Sequence, residues 1–273
     1  KDIVEEFGLE LAAEGKRSVD SAWGLIDEMY TDAELSILFS RFTGHDGFSS
    51  LEDILEHLET NRLFEAGNLP KMKMAIANDP DLLSKIPAHY SHLYGVVPHA
   101  EILETLETKD PSYIAYTGYP FGTINSALLC QEVIRYLLGK FPDRFSLYEH
   151  TNIAKVVLKQ DHAILDAGTN TITSERVVLC TNGFEHFTIL NEAGLEINTR
   201  FHHNVQGVVG YMSGYFEKMN KTPAVFCYLP DKKTQGFSSD NKDTGVPYFY
   251  LSGRPYDFLG KPNHNLISVG GHD

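Results

Sequence analysis

Apolar positions along the chain follow two different periods. Up to about residue 115 they recur at helical spacing, beginning with Ile3, Val4, Phe7 and Leu11 in KDIVEEFGLEL. Asp20 and Ser21 are placed to cap a segment at 22–29, and Ser49 with Glu52 has capping-box spacing ahead of Leu51, Ile54, Leu55 and Leu58. In PKMKMAIANDPDLLSKIP, Pro70, Pro80 and Pro87 punctuate short helices. The pattern predicts a helical layer for this third of the chain, with HDG at 45–47 read as a turn.

YTGYPFGTINSALLCQEVIRYLLGKFP then reads as a Gly/Pro-rich loop and a helix, with Ala127, Cys130, Ile134, Leu137 and Leu138 on one stripe and Gly139 at the C-cap. Short strand patterns follow in RFSLYE, NIAKVVLKQ, HAILDA, TIT and RVVLCT, separated by turn residues such as Asp161-His162 and Gly168-Thr169-Asn170. From about residue 186 longer strands are predicted in HHNVQGVVGYM, AVFCYL, PYFYLSGR and NLISVGG, with PDKKTQGFSSDNKDTG as a hairpin loop.

A chain of 273 residues is long enough for one large domain or two modest ones. Its net charge of −14, without any basic run, argues against a nucleic-acid surface. No apolar stretch approaches the roughly 20 residues of a membrane helix. Cys130, Cys180 and Cys227 are isolated from one another, which suggests neither a disulfide framework nor a structural zinc site and points to a reducing, cytoplasmic compartment.

Several common chemistries find no support. His202 and His203 are adjacent, so on a strand they face opposite ways and cannot share a metal. No H-E-x-x-H pattern accompanies them, and DNKDTG fails the calcium-loop pattern at Lys242. Ser213 lacks a G-x-S-x-G elbow, and there is no Walker-type loop. Tyr116, Tyr119, Tyr248 and Tyr250 combine an apolar body with a polar tip and are suited to line a site.

SERVVLCTNGFE poses a sharper question, because its apolar run ends at Cys180 in small and backbone-permissive residues: Thr181, Asn182 and Gly183. Open α/β sheets bind ligands at such strand ends. FGTINSALLCQEVIRYLL, YEHTNIAKV and SERVVLCTNGF, in that order, resemble the middle of FAD-dependent oxidoreductases of the D-amino-acid oxidase, glycine oxidase and sarcosine oxidase family. The resemblance implies that FAD is approached by Gly122, by Ile153 and its neighbours, and by Cys180, Thr181, Asn182 and Gly183. The tail PYFYLSGRPYDFLGKPNHNLISVGG resembles the family's late strands, with Gly270 and Gly271 returning towards the flavin. It also implies Arg254 as the anchor of a substrate carboxylate, with Tyr250 and His203 beside the substrate.

The implied fold is α+β or α/β. Residues 1–117 form the helical part of a substrate domain, and 118–186 the centre of a Rossmann-like FAD-binding domain with a β-meander. Residues 187–273 form the strand-rich part of the substrate domain, a mixed or antiparallel sheet. The implied activity is oxidation of a C–N bond in an amino acid or secondary amine by hydride transfer to flavin. No G-x-G-x-x-G occurs, so the pyrophosphate cradle is expected outside these residues and FAD is expected to be lost or weakly held by them alone. With Lys1 as first residue and ISVGGHD as the end, a piece of a longer reading frame is expected. The alternative reading is a cofactor-free binding module that keeps the shape of such a substrate domain.

Overall fold

Strand pairing dominates where helices were expected. The structure, a computed structural model, describes residues 2–181, 187–194, 212–218, 224–229, 249–258 and 261–271. Helices α1 (Asp2–Phe7) and α2 (Leu9–Asp32) lead into strand β1 (Phe39–Phe48), helix α3 (Leu51–Ala66) and strand β2 (Lys73–Ala77). Next come α4 (Pro80–Leu83), β3 (Gly95–Val97), α5 (His99–Thr105), β4 (Ala115–Ile124) and α6 (Ser126–Lys140). Then follow the short strands β5 (Lys155–Leu158), β6 (Ala163–Asp166), β7 (Thr171–Ser174) and β8 (Thr188–Asn191). The last four are β9 (Met212–Lys218), β10 (Ala224–Leu229), β11 (Phe249–Phe258) and β12 (Lys261–Gly271).

The chain divides into two units, residues 1–136 with 210–273 and residues 137–209, and the division falls within α6. The sequence-derived boundaries at 117/118 and 186/187 fall inside β4 and just ahead of β8.

The first unit is built on an eight-stranded mixed sheet in the order β3-β2-β4-β1-β10-β11-β12-β9. Residues 1–117 are therefore not purely a helical layer. HDG is not a turn either; it lies within β1, paired antiparallel to β4 and parallel to β10. The loop expected at YTGYPFGTI is β4. Pro120 sits opposite Thr43, beyond Gly118, where the pairing of β4 with β2 ends. A residue without N–H is tolerated there because one side of the strand is open.

Paired residues share a face of a sheet and alternate along each strand. One face carries His45, Gly47, Phe226 and Tyr228 and is closed at its Gly47 end, while Arg41 and Thr43 on the same face are exposed. His45 lies 6.1 Å from Phe226 and 5.6 Å from Tyr116, ring centre to ring centre. A Cβ at Gly47 would fall 2.7 Å from Leu106 Cδ1, so the glycine lets the loop after α5 close on the sheet. Tyr228 Oη donates to the Leu106 carbonyl at 2.6 Å. The other face is closed at one end by α3, where Phe48 packs 4.4 Å from His57 and Ile54 and Leu58 are fully buried.

Local chemistry sets the helix ends. The N-cap of α3 is Ser50, one residue later than expected, and its Oγ accepts from Asp53 N at 3.1 Å. Asp20 and Ser21 interrupt nothing, because α2 runs through them. Gly139 lies inside α6 and does not cap it. Arg41 joins α2 to β1: it donates to the Trp23 carbonyl at 3.3 Å and to Asp27 at 2.5 Å, over the Trp23 and Phe39 rings.

In the second unit, β5, β6 and β7 form the antiparallel meander that the sequence predicts. Two expected strands are absent: RFSLYE, with Tyr148 68% exposed, and RVVLCT, with Val178 83% exposed. β8 pairs in parallel with β5 and takes the ladder position beside the meander. The expected strand at HHNVQGVVGYM lies mostly outside the described residues, as does the 230–245 hairpin loop.

Buried Asn61 supports the turn between α3 and β2 by donating to the Met72 carbonyl at 3.1 Å and accepting from Met72 N at 2.9 Å. Asn61→Ala leaves both backbone groups without a partner and is expected to lower stability by about 1–3 kcal/mol. Urea unfolding against the unaltered protein measures this.

Candidate functional site

The opposite face of the large sheet brings polar side chains together beside buried Phe48, Thr117 and Val225. Asp46 pairs with Cys227, Cys227 with Tyr250 and Tyr250 with Gly270, so these four positions form one transverse row on one face. Thr117 continues the row on β4, with Tyr119 two residues further along the same face. Tyr119 Oη donates to Asp46 Oδ1 at 2.8 Å.

Electrostatics follow from partial burial. Burial pushes the Asp46 carboxyl above its ordinary value, and the Tyr119 hydrogen bond and the nearby His57 oppose that shift. Burial, reinforced by the Asp46 charge, drives Tyr119 well above the usual phenol range. Cys227 is pushed up to about 11 by burial and then by Asp46. Its thiol therefore stays protonated at neutral pH and is no nucleophile. On the other face, burial lowers His45.

Further along the same face, β11 carries Arg254 and Tyr256. Both line a pocket of about 560 Å³ together with Ser36, Ser40, Thr123 and Leu128. Ser36 shapes this rim because its backbone N and Oγ donate to the Glu132 carboxylate at 2.9 and 2.7 Å. Asn125 caps α6 by accepting from Leu128 N at 3.2 Å. Among the described residues no carboxylate pairs with Arg254. The guanidinium can thus accept a planar anion bidentately.

Of the residues singled out in the sequence, Tyr250, Arg254 and Gly270 share this face, whereas Gly271 pairs with Phe249 and faces the other way. Gly270 serves its neighbour: a Cβ there would lie 2.5 Å from Tyr250 Oη. Gly122 lies opposite Arg41, and a Cβ there would fall 2.7 Å from Phe39 Cε2. The space at each glycine is occupied by an aromatic ring of the protein, so neither offers the close approach to a dinucleotide that the resemblance implied. Ile153, Cys180 and Thr181 belong to the second unit, with Cys180 exposed in a segment that forms no strand. Asn182, Gly183 and His203 lie outside the described residues.

Asp46 and Cys227 were missed as site residues. The usable signal was SRFTGHDGF, in which Phe42, Asp46 and Phe48 fall on alternate positions of one strand face. The chain matches no protein-family model and no curated protein. Among the described residues, no helix is long and apolar enough to cross a membrane.

A carboxyl whose folded value is raised binds its proton more tightly in the folded protein. Its contribution to stability is complete below the ordinary value of 3.8 and falls as pH rises through the window above it. Glu59 and Glu65, drawn down to about 2 by hydrogen bonds from Arg62 and Lys71, act in the opposite direction. The paired comparison cancels them. Asp46→Asn is expected to match the unaltered protein in Tm at acid pH and to exceed it at pH 7. Thermal unfolding of both proteins between those limits measures the difference.

Proposed function

We propose that these residues carry the substrate-binding face of an FAD-dependent oxidoreductase of the D-amino-acid oxidase, glycine oxidase and sarcosine oxidase family, acting on a C–N bond of an amino acid or secondary amine. The observation that carries this reading is Arg254: a guanidinium without a carboxylate partner among the described residues, at a pocket on the same strand face as Tyr250. In this reading Arg254 holds a substrate carboxylate and Tyr250 packs against the substrate. The flavin, when bound, supplies a hydride acceptor. The meander of the second unit, a Rossmann-like element in this reading, agrees with the order that the resemblance implies.

The fit to FAD is partial. The pocket beside Arg254 suits a ligand, but the spaces at Gly122 and Gly270 are filled by Phe39 and Tyr250. That observation favours the second reading, a cofactor-free binding module built on the same face. In both readings the partner is a small molecule. The three unpaired cysteines support a cytoplasmic setting, and the acidic net charge supports the absence of a nucleic-acid partner.

The visible spectrum of the product of the whole reading frame separates the two readings. Flavin bands that bleach when an amine is added without oxygen are the expected result; a colourless protein that takes up no FAD moves the assignment to the module. In the flavoprotein, Arg254→Gln is expected to raise KM for amines bearing a carboxylate on the order of ten- to hundredfold and to leave amines without one nearly unchanged, as steady-state kinetics would measure.

A further inference from the structure

The lining of the pocket at Arg254 restricts the ligand through both its charge and its polarity. Ser40 and Thr123 are paired across β1 and β4, and strand alternation puts them on the same face as Arg254 and Tyr256. Arg254 is the one charged side chain among the described residues of the lining, and no aspartate or glutamate joins it there. Glu132, the residue after Gln131 of the lining, is held by the backbone N and Oγ of Ser36 at 2.9 and 2.7 Å. A single guanidinium in otherwise uncharged surroundings favours an anion over an ammonium group.

Much of the remaining lining is apolar. Ile37 and Leu38 precede β1, Ile124 ends β4, and Ala127 and Leu128 belong to the first turn of α6. Leu38 is 62% and Leu128 44% exposed, so two large apolar side chains meet water at the pocket instead of entering the core. Covering such surface is what drives an apolar group into a site. The volume of about 560 Å³ lies within the roughly 300–1,000 Å³ of pockets that hold drug-sized molecules, and a carboxylate on one or two carbons would leave most of it empty.

We infer that the pocket takes an amphiphilic monocarboxylate, with its carboxylate on Arg254 and an alkyl or aryl body of several carbons along Leu38, Ile124 and Leu128. The inference rests on the reading of Arg254 as a carboxylate anchor, adds the nature of the group that the carboxylate carries, and does not depend on flavin. A second carboxylate on the ligand would meet no further cation among the described lining residues and would be desolvated against leucine at a cost.

Ligand-observed NMR titration of the 273-residue protein with butyrate, octanoate, suberate and octylamine, without FAD, tests this. Octanoate is expected to bind on the order of tenfold or more tightly than butyrate, because its longer chain removes more methylene surface from water. Suberate and octylamine should bind no better than butyrate. Arg254→Gln, shown to be folded by circular dichroism, should weaken octanoate on the order of tenfold. Leu128→Ser, at an exposed position, should narrow the gap between octanoate and butyrate. The four ligands on the unaltered protein give the answer even where a variant fails to fold. The inference is overturned if octanoate shows no measurable binding, if butyrate matches it, or if suberate or octylamine does. Equal binding of octanoate and butyrate that both depend on Arg254 removes the apolar body and keeps the anchor, whereas octanoate binding that survives Arg254→Gln removes the anchor itself. The flavin reading is reported separately by the spectrum.

Discussion

The parallel pairing of β1 with β10 places Asp46, Cys227, Tyr250 and Arg254 on one face of one sheet. His45 through Phe48 lie beside Phe226 through Leu229, so residues about 180 apart in sequence become neighbours in one sheet. Parallel pairing cannot be closed by a tight turn, and the chain between these strands passes through the second unit before it returns. Without that seam, Asp46 and Tyr119 would stay on a sheet of four strands while Tyr250 and Arg254 belonged to another. The pairing also fixes register, and a slip of one residue would turn Asp46 away from Cys227 and Tyr250.

The two faces of the sheet are finished differently. On one, glycine at position 47 lets Leu106 and Tyr113 press against the strand, while Arg41 and Thr43 stay exposed. On the other, α3 covers the Phe48 end and the rest carries Asp46, Tyr119, Cys227, Tyr250 and Arg254. A partly buried carboxyl and a guanidinium without a carboxylate partner add little to stability in such a place. Stability comes instead from the closed regions, where Phe48, Ile54, Leu58, Ile76, Ile102 and Leu106 are fully buried. The pocket beside Arg254 and Tyr256 is the physical basis for reading that part of the face as a ligand surface.

How much of this was legible depended on what each segment packs against. AVFCYL, PYFYLSGR and NLISVGG were readable as strands because β-branched and aromatic residues dominate them. SRFTGHDGF was not, since glycines that admit Leu106 and Phe121 look like turn residues when their neighbours are unknown. β4 was hidden by Pro120, whose missing N–H matters only if both sides of the strand are paired. RVVLCT shows the converse: residues of strand propensity that join no ladder and leave Val178 exposed. Arg254 was found through chemistry and Asp46 was missed, because a lone acid in an HDG sequence carries no mark of the strand pairing that half-buries it.

The claim at the centre of this account is that the face bearing Tyr250 and Arg254 meets the ligand. A crystal structure of the protein equilibrated with FAD and a carboxylate-bearing amine tests it most directly. The account predicts density for the amine against Tyr250 with its carboxylate on Arg254, and the flavin ring on the same side of the sheet. Density on the opposite face, or Arg254 occupied by a carboxylate of the protein itself, would contradict it.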